Sequence, residues 1–163
     1  MSVQTHSVIS ERERKVIDMK AEAFLEQLNK LNRLIENKTI EKQQWQSIAM
    51  GTGQGADSER VQSSGNPQKM ASAIVRYVDI EKEINDAIER FIETRNHIIS
   101  VIEQLPVTEY DILHKIYVQN IPLDGVAAAF DKSKSWVRQK KNGALKAVQD
   151  ILDAGKEQQC VST

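Results

Sequence analysis

The chain has 163 residues, with 22 Lys plus Arg against 23 Asp plus Glu, a formal net charge of -1, and 40% hydrophobic and 28% charged residues. That length holds one ordinary domain or two small ones, and the charge balance excludes both a uniformly basic histone-like protein and an acidic disordered tail. No apolar run approaches the roughly 20 residues needed to span a bilayer, and the single cysteine, Cys160, excludes a disulfide framework and a cysteine zinc cluster.

Residues 1–10 carry no apolar secretion-signal centre and are expected to be a disordered start, in a cytoplasmic protein with no membrane partner. From Glu11 to Asn37, the residues Ile17, Ala21, Phe24, Leu28, Leu31 and Ile35 repeat at alternating four- and three-residue steps, a heptad stripe along one helix face. Thr39 to Met50 reads as a second, shorter helix, with Thr39 as its N-cap and Trp45 and Ile48 as its apolar positions.

Residues 51–67 hold four of the seven glycines, together with Ser58, Ser63, Ser64 and Asn66, and read as a flexible loop. A ligand or DNA contact from Arg60 and Gln62 stays open there. Pro67 suits a helix start, and nothing breaks a helix from Gln68 to Leu105. Met70, Ile74, Tyr77, Glu81, Ile84, Ile88, Phe91, Arg95, Ile98, Ile102 and Leu105 keep the four-three alternation, interrupted only by Glu81 and Arg95. A helix of that length, near 55 Å at about 1.5 Å per residue, cannot bury its stripe alone. It calls for an antiparallel hairpin with the N-terminal helices, a homodimer through the long-helix seam, or both. Glu81 and Arg95 are then partly exposed, paired with charges on the facing helix, or fixing register.

Pro106 marks the next boundary. Thr108 is placed to cap a helix running to Gln119, with Ile112, Leu113, Ile116 and Tyr117 inside. Asn120, Ile121 and Pro122 end it. Leu123 to Phe130 is a short helix, Asp131 to Ser133 a tight turn, and Lys134 to Ala154 a last helix, leaving residues 155–163 as a frayed tail.

Catalytic machinery is hard to find in this pattern. His6, His97 and His114 have no His or Cys at metal-ligand spacing. Gly51, Gly53 and Gly55 are followed by neither a Lys-Ser/Thr pair nor a helix start, so no phosphate loop is formed. The carboxylates lie on solvated helix faces among Lys and Arg. The expectation is a protein that is not an enzyme and holds no metal and no cofactor.

The C-terminal third is more informative. Between Leu123 and Val148, Lys132, Lys134, Arg138, Lys140, Lys141 and Lys146 stand against Asp124 and Asp131, a local balance of +4 in a chain of net charge -1. Positive charge gathered on one element is the electrostatic footprint of a nucleic-acid reader. Val126, Ala127 and Phe130 give the first short helix an apolar face, with Ala127 small where helices cross. Asp131 tolerates the left-handed conformation a turn requires, and Ser133 is a good N-cap. Val137 and Ala144 lie seven apart and point to the core. This is the pattern of a helix-turn-helix. With Val137 inward, Lys134, Ser135, Arg138, Gln139 and Asn142 lie on or near the outward face, where Arg can pair two-pronged with guanine and Gln with adenine, while Lys134 suits a phosphate. Lys132, Lys140, Lys141, Asn142 and Lys146 serve phosphates. Trp136 packs on Tyr117 or on the preceding helix.

The stretch from Val126 to Gln139, continued by Ala144, Leu145 and Lys146 and preceded by Leu105-Pro106 and Tyr110 to Leu113, resembles the region-four domain of bacterial sigma factors. That domain reads promoter DNA and binds RNA polymerase. The whole layout, with Arg60 to Ser64, Lys69 to Ala71 and the C-terminal domain, is similar to small phage and prophage transcription regulators of Gram-positive bacteria. The resemblance implies that Lys134, Ser135, Arg138 and Gln139 are the base readers. Pro122 stands where a capping Ser or Thr is usual, and Gly125 replaces an acidic helix former. Gly143 interrupts the last helix, each glycine costing about 1 kcal/mol.

The expected architecture is therefore all-α: a long-helix hairpin or coiled-coil domain over 11–105, then a sigma region-four-like helix-turn-helix over 106–154. The expected function is sequence-specific binding of double-stranded DNA as a phage-type transcription regulator, with host RNA polymerase as a further partner. Two alternatives stand beside it: a small-terminase-like DNA-packaging component, and a polymerase-binding adaptor without DNA specificity.

Overall fold

The computed structural model describes residues 20–51 and 67–161, and these are all-α with no strand among them. The helices are α1 (Ala21–Ala49), α2 (Pro67–Ile102), α3 (Val107–Leu113), a π-helical segment (His114–Val118), α4 (Leu123–Ala129) and α5 (Lys134–Val161). The readings for residues 1–19 (the start, His6 and the stripe position Ile17) and for 52–66 (the loop, with Arg60 and Gln62) lie outside the described residues. None of the described helices is long and apolar enough to cross a membrane.

Two compact units divide the chain. One comprises Met1–Gln27 and Arg95–Thr163, the other Leu28–Thr94. The boundary expected at Pro106 therefore falls inside the first unit.

Within residues 28–94 the first correction is that α1 is a single helix. Thr39 is no N-cap: its hydroxyl donates to the Ile35 carbonyl one turn back at 2.8 Å. That bond lets Thr sit in a helix interior, and no Gly or Pro nearby forces a break. The helix stops instead at Gly51, whose φ of 69° suits glycine and whose N–H reaches the Ile48 carbonyl at 3.2 Å.

The second correction concerns the phase of α2. Its fully buried positions in this unit are Ala73, Ile80 and Ala87, seven apart, with Tyr77 and Ile84 half-buried between them and Phe91 half-buried after them. Met70, Ile74 and Ile88, expected inside, are exposed. Two alanines leave room for a neighbouring backbone that larger side chains would hold off, so the small residues win the buried face.

Ion pairs link α1 to α2 in antiparallel order. Lys38 pairs with Glu83, Glu41 with Arg76 at 3.0 Å, and Lys42 with Glu81 at 2.8 Å, while Lys42 also sits 4.9 Å from the Tyr77 ring centroid. Glu81, which interrupts the stripe, is thus paired with a charge on the facing helix. The Arg76 guanidinium holds the Glu41 carboxyl below its ordinary range.

The other unit contains the end of α2. That helix closes at Ile102 rather than Leu105, whose N–H bonds back to the Ile102 carbonyl at 3.0 Å. The residue before a proline is pushed out of the α region. Phe24 meets His97 edge-on at 5.2 Å, beside buried Leu25, Ile98 and Ile102. Pro106 and Pro122 each occupy the N-cap position of a short helix with no side-chain cap, so Thr108 lies inside α3 rather than capping it. The expected helix from Thr108 to Gln119 is α-helical only to Leu113. It then widens into the π-helical segment, where Gln119 N–H reaches the His114 carbonyl at 2.9 Å. At the other end α5 runs on to Val161, past the expected stop near Ala154. One glycine, Gly155, costs about 1 kcal/mol in a helix and does not suffice to end it.

Candidate nucleic-acid interface

The candidate site is assembled by α3, the π-helical segment, α4 and the N-terminal half of α5. Ile112, Val126, Ala127 and Val137 form its buried centre, with Ile116, Ile121, Leu123, Phe130 and Trp136 packed around them. The aromatic rings of Phe130 and Trp136 lie 5.9 Å apart, so Trp136 packs on the preceding helix. Each buried aliphatic side chain contributes on the order of 1.5–3 kcal/mol, which fixes α4 against α5.

The turn between them follows from local chemistry. Asp131 takes a φ of 50°. Its N–H donates to the Ala128 carbonyl at 3.1 Å, and that of Lys132 to Ala127 at 3.0 Å. This is the double bond pattern of a Schellman ending, with Asp in the place usually given to glycine. Ser133 then caps α5: its hydroxyl accepts the Trp136 N–H at 3.2 Å. Gly125 also has a reason. A Cβ there would sit 2.8 Å from Ile121 Cγ2, so an acidic helix former does not fit. Gly143 has no such neighbour.

With Val137 and Ala144 fully buried, Lys134, Ser135, Arg138, Gln139 and Asn142 are all exposed along α5. Lys132 and Lys146 are exposed as well. Arg138, Lys132 and Lys146 make no ion pair among the described residues. Lys134 reaches Asp124, in the first turn of α4, at 2.7 Å, and both side chains are well exposed, so the pair is weak. Lys140 lies 3.5 Å from Glu109.

Lys141 differs from the other cations. Its ammonium donates to Glu22 at 2.8 Å and lies 5.5 Å from the Tyr117 ring centroid, while the Tyr117 hydroxyl donates to the same Glu22 oxygen at 3.3 Å. Burial works against the charge, yet the bonds to Glu22 and Tyr117 hold its pKa above the ordinary lysine value. Lys141 in turn holds the Glu22 carboxyl below its ordinary range. One residue earlier, at the start of α1, the Ala21 N–H donates to Gln149 Oε1 at 2.8 Å. Glu22, Tyr117 and Gln149 were not legible as a set: their sequence separations reach 128 residues, and no local pattern marks them.

No group of three or more His, Cys, Asp or Glu among the described residues is arranged to hold a metal ion. His114 accepts a hydrogen bond from Gln119 at 3.0 Å, and burial, followed by Arg95 and Lys115, pushes its pKa below the ordinary value. No protein-family model matches the chain, and neither does any curated protein or solved structure.

Proposed function

We propose that α4, the Asp131 turn and α5 act as a helix-turn-helix that reads double-stranded DNA in the major groove, in a transcription regulator of the phage type. The observation that carries this reading is the exposed row on the first turns of α5. Lys134, Ser135, Arg138 and Gln139 face outward immediately after a Ser133-capped turn, while Val137 beneath them is buried. Side chains at the start of a recognition helix reach base edges.

In this reading Arg138 and Gln139 supply two-pronged hydrogen bonds to guanine and adenine, and Lys134 and Ser135 complete the base contacts. Lys132, Lys140, Asn142 and Lys146 neutralise or bond phosphates. Lys141, committed to Glu22 and Tyr117, serves as an anchor that orients α5. The Lys134–Asp124 pair opens on DNA, at little cost for two exposed groups. The paired long helices of residues 28–94 are read as an antiparallel hairpin. The sigma region-four resemblance makes RNA polymerase a second partner.

Fluorescence anisotropy with DNA from upstream of the protein's own gene tests this. Binding is expected to saturate and to weaken steeply as salt rises. Arg138→Ala combined with Gln139→Ala should lose about 1–3 kcal/mol of discrimination per base contact, erasing sequence preference while non-specific affinity persists. Equal, weak binding by both proteins on every duplex would sink the proposal.

A further inference from the structure

Besides its buried face, α2 carries a second stripe. Ile74, Val78, Glu81, Asn85, Ile88 and Ile92 follow one another at steps of four, three, four, three and four. The apolar members are 52%, 55%, 39% and 52% exposed in chain order, and Glu81 and Asn85 are exposed too. Met70 and Val75, also exposed, extend the apolar end. Scattered surface aliphatics need no explanation, but a continuous stripe at coiled-coil spacing does. The buried stripe at Ala73, Ile80 and Ala87 occupies another side of the helix, so among the described residues of 28–94 the second stripe is left exposed.

Its chemistry is the same read from either end: two aliphatics, two polar residues, two aliphatics, with symmetric spacing. A two-fold axis pairs like surface with like surface and requires a patch to complement itself. With the axis between Glu81 and Asn85, an antiparallel second helix puts Ile74 against Ile92, Val78 against Ile88 and Glu81 against Asn85. Each pair joins the two kinds of core position of a heptad, the arrangement in which antiparallel helices interlock. Glu81 already holds Lys42 through Oε1 at 2.8 Å, and Oε2 remains to accept from an Asn85 amide. A parallel second helix would instead set Glu81 against Glu81. Two symmetry-related buried polar layers of this sort fix register at some expense of stability.

We propose that this stripe is a homodimer surface on which a second copy of the chain docks antiparallel, centred between Glu81 and Asn85, over about 27 Å of helix. The pairing stands apart from the DNA reading and is measured without DNA.

Sedimentation equilibrium on the full chain should give twice the 18.5 kDa chain mass. Ile74→Lys plus Ile92→Lys should return it to monomer, raising the dissociation constant by about a hundredfold or more, since each change buries an unpaired charge. Far-UV circular dichroism should stay unchanged, because neither residue belongs to the buried stripe. A second arm uses Cys160→Ser chains carrying Val78→Cys or Ile88→Cys. The mixture should oxidise to the mixed dimer faster than either variant forms a disulfide with itself. A monomeric wild-type chain, a dimer indifferent to the double lysine variant, or faster self-linking of Val78→Cys would each overturn the proposal.

Discussion

In residues 28–94, two of the three fully buried positions of α2 are alanines, and the helices are indexed by Lys38, Glu41, Lys42, Arg76, Glu81 and Glu83. In the unit built from residues 1–27 and 95–163, the fully buried side chains among the described residues are Leu25, Ile98, Ile102, Ile112, Leu113, Val126, Val137 and Val148, with Ala144 the one alanine beside them. The first arrangement depends on small side chains at a close crossing and the second on large ones filling a centre. They are vulnerable to opposite substitutions, and that contrast can be tested.

The largest effect is expected from removing volume. Ile112→Ala should destabilise the unit around it by about 2–5 kcal/mol, the cost of lost transfer energy plus a cavity between α3, α4 and α5. Denaturant titration followed by Trp136 fluorescence in a Trp45→Phe background reads this. Adding volume should be next: Ala87→Leu should cost about 1–3 kcal/mol by overpacking the buried face of α2, read by the same titration with far-UV circular dichroism. The same change in the other unit should be benign wherever no neighbour is met. Gly143→Ala should raise stability by roughly 0.5–1 kcal/mol, a few degrees in Tm. Gly125→Ala should forfeit that gain against Ile121 and melt lower than Gly143→Ala. If Ala87→Leu stabilises the chain, or Ile112→Ala is neutral, the contrast between the units fails.

What the sequence disclosed follows the range of the interactions. The α4–α5 turn was legible in detail: Asp131 left-handed, Ser133 capping, Val137 and Ala144 buried. Each of these is decided within a few residues by sterics or by one side-chain bond to the backbone. The phase of α2 was not, because a heptad stripe drawn through the largest aliphatics passes over Ala73 and Ala87, whose value lies in being small. The π-helical widening at His114–Val118 leaves no composition signal. Lys141 looked like any other cation of the basic helix, and its partner Glu22 lies 119 residues away. The exposed row on α5 could be read in advance because it needs only the periodicity of one helix.

The bonds from Ala21 to Gln149 and from Glu22 to Lys141 sew the beginning of α1 to the last helix. A chain made from its N-terminus at about 5–20 residues per second leaves that first turn waiting on the order of ten seconds for its partners. Residues 28–94 form one compact unit from a single stretch of chain and are synthesised long before α5. Their antiparallel ion pairs return the chain toward its origin before α5 is synthesised, which shortens the loop that the late bonds must close. Of the described helices, α5 emerges last, so its bonds to the first turn of α1 can form only after the other described helices have been made.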